Sequence, residues 1–360
     1  MSSNVEPIPA NGYVARPPRV SVVLTTYNHE QFIVEAVESV LCQTLDDLEL
    51  IVIDDGSRDA TRALLARFDD SRLRLVFQEN GGPSRAANAG IGLARGEYVA
   101  LMSGDDVCHP KRLAEQYRFA IAAGADFVFC LPQLIDDASA LLDDAVFPAF
   151  VARSAPKSAD FFRVLFEHGN FLCAPTAFMR HDALHAVGAF HEGLIQLQDY
   201  ELWGRAAARF QFAVMGERLF QYRIRAAEAN LSSRSNDGRT HFEFMLVMRS
   251  FLDACPVRAL QQHFPGMLKL DAEDGDTAAE IGKSFILLSH TLAEVRAVGA
   301  ERMTRLLNEP VAAARLEAEY NFTPRDLFQI TAQLDMQNRN DIRRLQAALN
   351  LRIRSRSAVA

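Results

Sequence analysis

The sequence predicts an α/β fold built on a doubly wound sheet. Three observations carry that prediction. First, residues 20–24, 48–53, 73–78 and 98–102 read as short strands, and the β-branched run 20–24 has the character of a strand buried on both faces. Second, stretches with apolar residues at helical spacing alternate with them across short loops. Third, each run leads into a polar cluster, at residues 25–28, 54–59, 80–84 and 103–106. Ligands of such sheets bind beyond the carboxyl ends of the strands, so clusters repeated at that edge point to one site.

The elements follow in order. Residues 1–18 are polar and proline-rich, read as a disordered leader without a signal peptide. After the first strand, Phe32, Ala36, Val37, Val40 and Leu41 mark a helix. After the second, Ala63, Leu64 and Phe68 mark another. The glycine-rich loop Asn80-Gly81-Gly82-Pro83-Ser84 opens a helix over 85–94, and Gly96 turns into the strand 98–102. That strand runs into Ser103-Gly104-Asp105-Asp106. Two adjacent acids at the mouth of a buried strand are costly unless a cation balances them. Alone, they read equally well as an Asp-rich turn before the helix after Pro110.

Beyond this turn the sequence predicts a strand over 126–131, a mixed insertion over 136–157 and a helix over 161–166. A strand or extended segment follows over 170–179, then a short helix over 182–187 closed by Gly188. A helix begins at Asp199-Tyr200-Glu201-Leu202-Trp203, and two short strands are expected over 212–216 and 219–223. From about residue 241 the pattern is almost entirely helical. The arginine-rich tail 339–356 reads as a coiled-coil or membrane-surface helix, or equally as a helix packed on its own domain.

A chain of 360 residues buries a sizeable core and divides into two domains, or one with a helical extension. A net charge of −8 argues against nucleic acid as the main partner. The five scattered cysteines, without CxxC pairing, fit a reducing cytoplasm and no zinc site. No apolar run reaches membrane-spanning length.

Over residues 19–233 the motifs resemble the inverting glycosyltransferases of family 2. The pieces are Val20-Ser21-Val22-Val23-Leu24-Thr25-Thr26-Tyr27-Asn28, Glu49-Leu50-Ile51-Val52-Ile53-Asp54-Asp55-Gly56-Ser57, and Asn80-Gly81-Gly82 with Asn88-Ala89-Gly90. They continue with Gly96-Glu97-Tyr98, Asp105-Asp106, Pro110-Lys111-Arg112-Leu113, Gly188-Ala189-Phe190 and Asp199-Tyr200-Glu201-Leu202-Trp203. Singly these are weak; in this order and spacing they are specific. The resemblance implies a GT-A fold: a Rossmann-like, mixed but mostly parallel sheet with helices on both faces. It implies a glycosyltransferase domain over 19–240, with a nucleotide-binding half (19–106) and an acceptor half (107–240), and a helical C-terminal region over 241–360.

The resemblance also assigns roles. Asp106, with Asp105 beside it, would hold the Mg²⁺ or Mn²⁺ that offsets the charge of the departing diphosphate. The family motif carries an acid where Ser103 stands, which leaves the division of labour between the two acids open. Thr25 and Tyr27 would frame the nucleobase, Asp55 would accept from base or ribose, and Arg85 would meet phosphate or lock the loop. Asp199 would be the general base, taking the proton of the attacking hydroxyl. Its place at a helix start would keep its pKa low and could equally mark an N-cap.

The donor implied is a nucleotide-diphospho-sugar, with a UDP-sugar favoured, and the acceptor a glycan or lipid-linked sugar of the cell envelope. Region 241–360 is left open as a peripheral membrane contact at the inner face, a homodimer interface or an acceptor platform. The competing reading is an inactive nucleotide-sugar-binding scaffold on the same fold. A dehydrogenase is excluded because no GxGxxG follows the first strand. A nucleotidyltransferase would carry a glycine-rich, basic loop where Thr25-Thr26-Tyr27-Asn28 stands.

Overall fold

The computed structural model describes residues 16–143, 160–226, 236–268 and 275–334. Nearly all of the expected leader, the greater part of the 136–157 insertion and the arginine-rich tail lie outside the described residues.

One eight-stranded sheet organises the first part of the chain. Its strands are β1 (Val20–Thr26), β2 (Leu48–Asp54), β3 (Leu73–Phe77), β4 (Tyr98–Ser103), β5 (Val107–Cys108), β6 (Phe127–Ile135), β7 (Phe178–Arg180) and β8 (Phe212–Arg223). They lie in the order β3-β2-β1-β4-β7-β6-β8-β5. The pairs β2–β3, β1–β2 and β1–β4 are parallel; β4–β7, β6–β7 and β5–β8 are antiparallel. The sheet is therefore mixed, parallel over β3-β2-β1-β4 and antiparallel in its other printed pairs.

Alternation along the strands explains the layers. Val20, Val22 and Leu24 of β1 pack with Leu48, Leu50 and Val52 of β2 against Ile33, Ala36, Val37 and Val40 of α1 (Ile33–Leu41). The same face receives Leu65 of α2 (Thr61–Leu65) and Leu113 and Ala120 of α4 (Arg112–Ala123). On the other face, Ile51 and Ile53 meet Ala86 of α3 (Pro83–Leu93). At roughly 25 cal/mol per Å² of apolar surface, burial of these branched chains on both faces is the main term favouring the sheet.

Two expectations need correction. The 170–179 segment is not a strand throughout: only Phe178–Arg180 pairs, antiparallel to β4. The two strands expected over 212–223 form the single strand β8, which runs unbroken through the exposed Gly216, Glu217 and Arg218. The two-residue β5 had no sequence signature; pairing with β8 creates it.

By contacts the chain forms two compact units. The first contains the sheet: Met1–Leu142, Cys173–Gly188 and Ala213–Arg223. The second contains Asp143–Leu172, Ala189–Phe212 and Ile224–Ala360. The segment carrying Asp199 thus groups with the C-terminal helices rather than with the sheet.

The second unit is helical. It holds α5 (Phe161–His168), α7 (Gln198–Ala207), α8 (Asp237–Ser250) and α9 (Val257–His263). Then come α10 (Asp276–Leu288), α11 (Ala293–Leu307), α12 (Pro310–Tyr320) and α13 (Pro324–Ala332); α6 (His181–Val187) belongs to the first unit. Ile281, Met303, Leu306, Leu316, Phe322 and Leu327 form one apolar core of the second unit. Asp253 there receives Lys283 and Arg302, both nearly buried. No helix among the described residues is long and apolar enough to cross a membrane.

Candidate active site

Strand register brings the polar clusters of the sheet unit together. Thr26 of β1 pairs with Asp54 of β2, Asp54 with Phe77 of β3, and Thr25 with Ser103 of β4. The loops leaving these strands are then tied to one another. The Ser57 hydroxyl accepts from the Asn28 amide at 2.9 Å, and Asn28 Oδ1 accepts from the Arg58 amide at 2.8 Å. Thr61 Oγ1 accepts from the His29 amide at 2.9 Å.

Asp55 is buried, and its carboxylate is already engaged. Oδ1 accepts from Gln78 Nε2 at 2.7 Å and from the Gly81 amide at 2.9 Å, and Oδ2 accepts from the Gly82 amide at 2.8 Å. A carboxylate has about four acceptor positions, so roughly one remains for a ligand. Asp55 therefore holds the glycine loop, a role its sequence context did not signal. Tyr27 is 39% exposed, a free aromatic face at the end of β1. Arg85, in the first turn of α3, is exposed, and its aliphatic stem lies against Gly81.

The acid pair sits on the turn after β4. The Ser103 hydroxyl donates to Asp105 Oδ1, and His29 Nε2 lies 3.7 Å from Asp105 Oδ2. Gly104 is required here: a Cβ would sit 2.6 Å from Thr26 Oγ1. Asp106 is 2% exposed; its Oδ1 accepts from the Arg223 amide at 2.9 Å. Its Oδ2 is buried without a hydrogen-bond partner among the described residues. Burial, and then the neighbouring Asp105 charge, push the Asp106 carboxyl well above the usual range, against the lowering effect of Arg223 and Arg112.

An orphaned buried carboxylate oxygen beside a second acid is the donor set a divalent cation satisfies. No group of three or more His, Cys, Asp or Glu side chains among the described residues forms a closed metal site. Asp106 and Asp105 thus fit a cation that takes its remaining oxygens from phosphate and water, as Mg²⁺ does.

Two buried arginines brace this turn. Arg223 is fully buried at the end of β8 and stacks on Phe32, 4.6 Å from the ring centre. Its Nε donates to the Asp105 carbonyl at 2.7 Å; Nη1 donates to the Asp136 carbonyl, and Nη2 to Glu35 Oε2 and Ser139 Oγ. Arg112, equally buried, donates to the carbonyls of Leu101, Pro175 and Ala177 and to Gln116 Oε1. Sequence reading placed Arg112 in a motif and Arg223 at the end of an expected strand over 219–223, but gave neither this role.

Asp199 lies in the second unit, and is described by its own surroundings. It is the second residue of α7, and the N-cap is Leu197, so the expectation that Asp199 could mark the cap is corrected. Its Oδ2 accepts from Asn170 Nδ2 at 2.8 Å, and Asn170 Oδ1 accepts from the Leu172 amide, which orients the amide group. The pKa expectation is corrected too. Burial raises the carboxyl to about 6, against the Tyr200 amide and the Asn170 side chain, which favour the anion. Desolvation outweighs the helix terminus here. Asn170 had no sequence signal beyond being an amide side chain in an apolar stretch.

Residues 21–188 match the model of the family described as Glycosyl transferase family 2. The succinoglycan biosynthesis protein ExoO of Rhizobium meliloti is 46% identical over 109 residues, 30% of this chain and 31% of that protein. The chain thus spans less than a third of that relative's length. An uncharacterized glycosyltransferase of Nostoc is 29% identical over 233 residues, 60% of this chain and 68% of its own. One from Rickettsia typhi is 30% identical over 229 residues, 62% of this chain and 66% of its own. Among solved structures, Staphylococcus aureus TarS 1-349 in complex with UDP-GlcNAc superposes with a TM-score of 0.55 at 20% identity, covering 90% of this chain and 92% of that one. That likeness is one of fold.

Proposed function

The chain belongs to glycosyltransferase family 2, a GT-A-fold glycosyltransferase, and on that premise we propose that it is a metal-dependent, inverting enzyme using a nucleoside-diphosphate sugar. Asp106, assisted by Asp105, would hold Mg²⁺ or Mn²⁺, which would supply positive charge against the departing diphosphate. Tyr27 and Thr25 frame the base, Asp55 offers its remaining acceptor position, and Arg85 meets phosphate. The acceptor hydroxyl attacks the anomeric carbon from the face opposite the leaving diphosphate. Its proton passes to Asp199 Oδ as the new bond forms, and the configuration inverts.

The observation that carries this reading is the Asp199 carboxyl, raised to about 6 and oriented by Asn170. A base is most effective when its pKa lies close to the working pH, and this one is mostly ionised at neutral pH yet basic enough to take a proton. The ExoO relative supports a polysaccharide product, and UDP-GlcNAc in the TarS complex supports a UDP-sugar donor. We place the acceptor among glycans or lipid-linked sugars of the cell envelope, met at the inner membrane face. Peripheral membrane contact and self-association through 241–360 belong to the same proposal; vesicle flotation and sedimentation velocity test them.

The main test is release of nucleoside diphosphate from a panel of UDP-, GDP- and dTDP-sugars with Mn²⁺ or Mg²⁺ and mixed acceptors. Asp199→Asn is expected to keep donor binding and lose transfer, whereas Asp106→Ala weakens metal-dependent binding of the nucleotide by at least about tenfold. Parent-level transfer by Asp199→Asn would remove the base assignment. Metal-dependent binding without turnover of any donor would favour a scaffold.

A further inference from the structure

The C-terminal helices lie beyond the family match, yet one of their side chains reaches the approach to Asp199. Glu243 of α8 is 3% exposed. Its Oε2 accepts from the amides of Gln196 at 2.8 Å, Leu197 at 2.9 Å and Ile195 at 3.2 Å, and its Oε1 from the Ile195 amide at 3.1 Å. These are three successive peptide groups, and α7 begins at the next residue with Asp199 second in it.

The rest of α8 reinforces the contact. Phe244 stacks on Tyr200 with rings 4° from parallel, and Phe251, just past α8, meets Tyr200 at 5.6 Å. Gly204 lets Phe251 approach so closely that a Cβ would sit 2.7 Å from its ring. The Tyr200 hydroxyl donates to the Leu165 carbonyl at 2.8 Å. Leu197, the N-cap of α7, makes no side-chain cap.

A buried carboxylate is costly, and an apolar residue would pack α8 at least as well. What a carboxylate adds is an acceptor for three consecutive amides, which fixes the backbone within hydrogen-bond tolerance. We infer that Glu243 is a positioning residue for the transfer reaction, holding residues 195–197 so that Asp199 stands in its working place. Helix α8 is on this view part of the catalytic apparatus. The inference rests on the reading of Asp199 as base.

The test uses the full chain with Glu243→Ala and Glu243→Gln, each also combined with Asp199→Asn. Amide hydrogen exchange over 194–199 reports the clamp directly, and turnover of the best donor in the panel reports its effect. For Glu243→Ala we expect exchange of the three amides to rise at least about tenfold, with the sheet unchanged. We expect kcat to fall about 100-fold, the cost of a misplacement of about 1 Å, with donor KM unchanged. Glu243→Gln, which keeps one acceptor oxygen, falls between. In the Asp199→Asn background, Glu243→Ala should lower turnover no further, because the residue it positions no longer works as a base.

Unchanged exchange in Glu243→Ala overturns the inference. So does parent-level kcat in Glu243→Ala beside an inactive Asp199→Asn, or a further multiplicative loss in the double variant. Parent-level turnover of Asp199→Asn alone is the separate failure of the base reading, and the inference falls with it.

Discussion

Asn170→Ala should move the acid limb of the kcat profile. In the parent, burial lifts the Asp199 carboxyl to about 6, and in its proposed role as base it would work only when deprotonated. The parent rate therefore falls about tenfold per pH unit well below that value. The Asn170 side chain donates to Asp199 Oδ2 at 2.8 Å and so favours the anion. A hydrogen bond to a charged group contributes about 1.5 kcal/mol, and one pKa unit is about 1.4 kcal/mol. Removing the donor should raise the limb by roughly one unit, to about 7. Turnover then drops about fivefold at pH 6 and about twofold at pH 7, and is unchanged well above pH 8. The assay is initial-rate release of nucleoside diphosphate across pH 5–9 at saturating donor. A limb that stays at the parent position, or a uniform loss at every pH, refutes the argument.

Other outcomes follow from the same contacts. Because folding raises the Asp199 pKa from 3.8 to about 6, the folded chain binds that proton more tightly, and stability is lost as pH climbs through this window. Asp199→Asn should therefore unfold at a higher temperature than the parent at pH 7 and at the same temperature near pH 3, checked by calorimetry. Arg223→Met strips donors from the Asp105 and Asp136 carbonyls. At about 1–3 kcal/mol for each, urea titration should show a loss of roughly 2–6 kcal/mol, with weaker metal-dependent nucleotide binding. Asp253→Asn breaks contacts to Lys283 and Arg302; with Asp253 44% exposed, the expected loss is only about 1–2 kcal/mol. Burial alone would raise the Asp253 carboxyl, but hydrogen bonds from Arg302 and Lys283 hold it below 3.8. Its contribution is thus present above that value and fades as pH falls through the lower folded one.

What was legible in the sequence was local. The runs that became β1, β2 and β4 announce themselves by burial on both faces, and Ile33–Leu41 by its helical stripe. The polar clusters were correctly set at one sheet edge, because parallel strands put their carboxyl ends together. What was not legible depends on partners distant in sequence. β5 exists only through β8, and the Asp199 pKa follows from burial that no periodicity reports. Asn170 and Glu243 act on residues 29 and 46–48 positions away. Glu243 did leave a trace: an acid on the same helical stripe as Val247, where an apolar residue is expected.

The interleaving of the two units has a consequence for how the chain folds. The path passes from the sheet unit to the helical one at 143, back at 173, out at 189, back at 213 and out again at 224. Neither unit is a continuous stretch. A ribosome that has released 200 residues has made β1 through β7 but not β8, which the finished sheet places between β6 and β5. The helix bearing Asp199 must wait for α8, synthesised some 40 residues later. Non-local pairings of this kind slow folding and leave apolar faces uncovered meanwhile. A chain cut after residue 239 would not release a tidy catalytic half. It would strand residues 160–172 and 189–212 without the helices they pack on, and such a fragment should need chaperones to stay in solution.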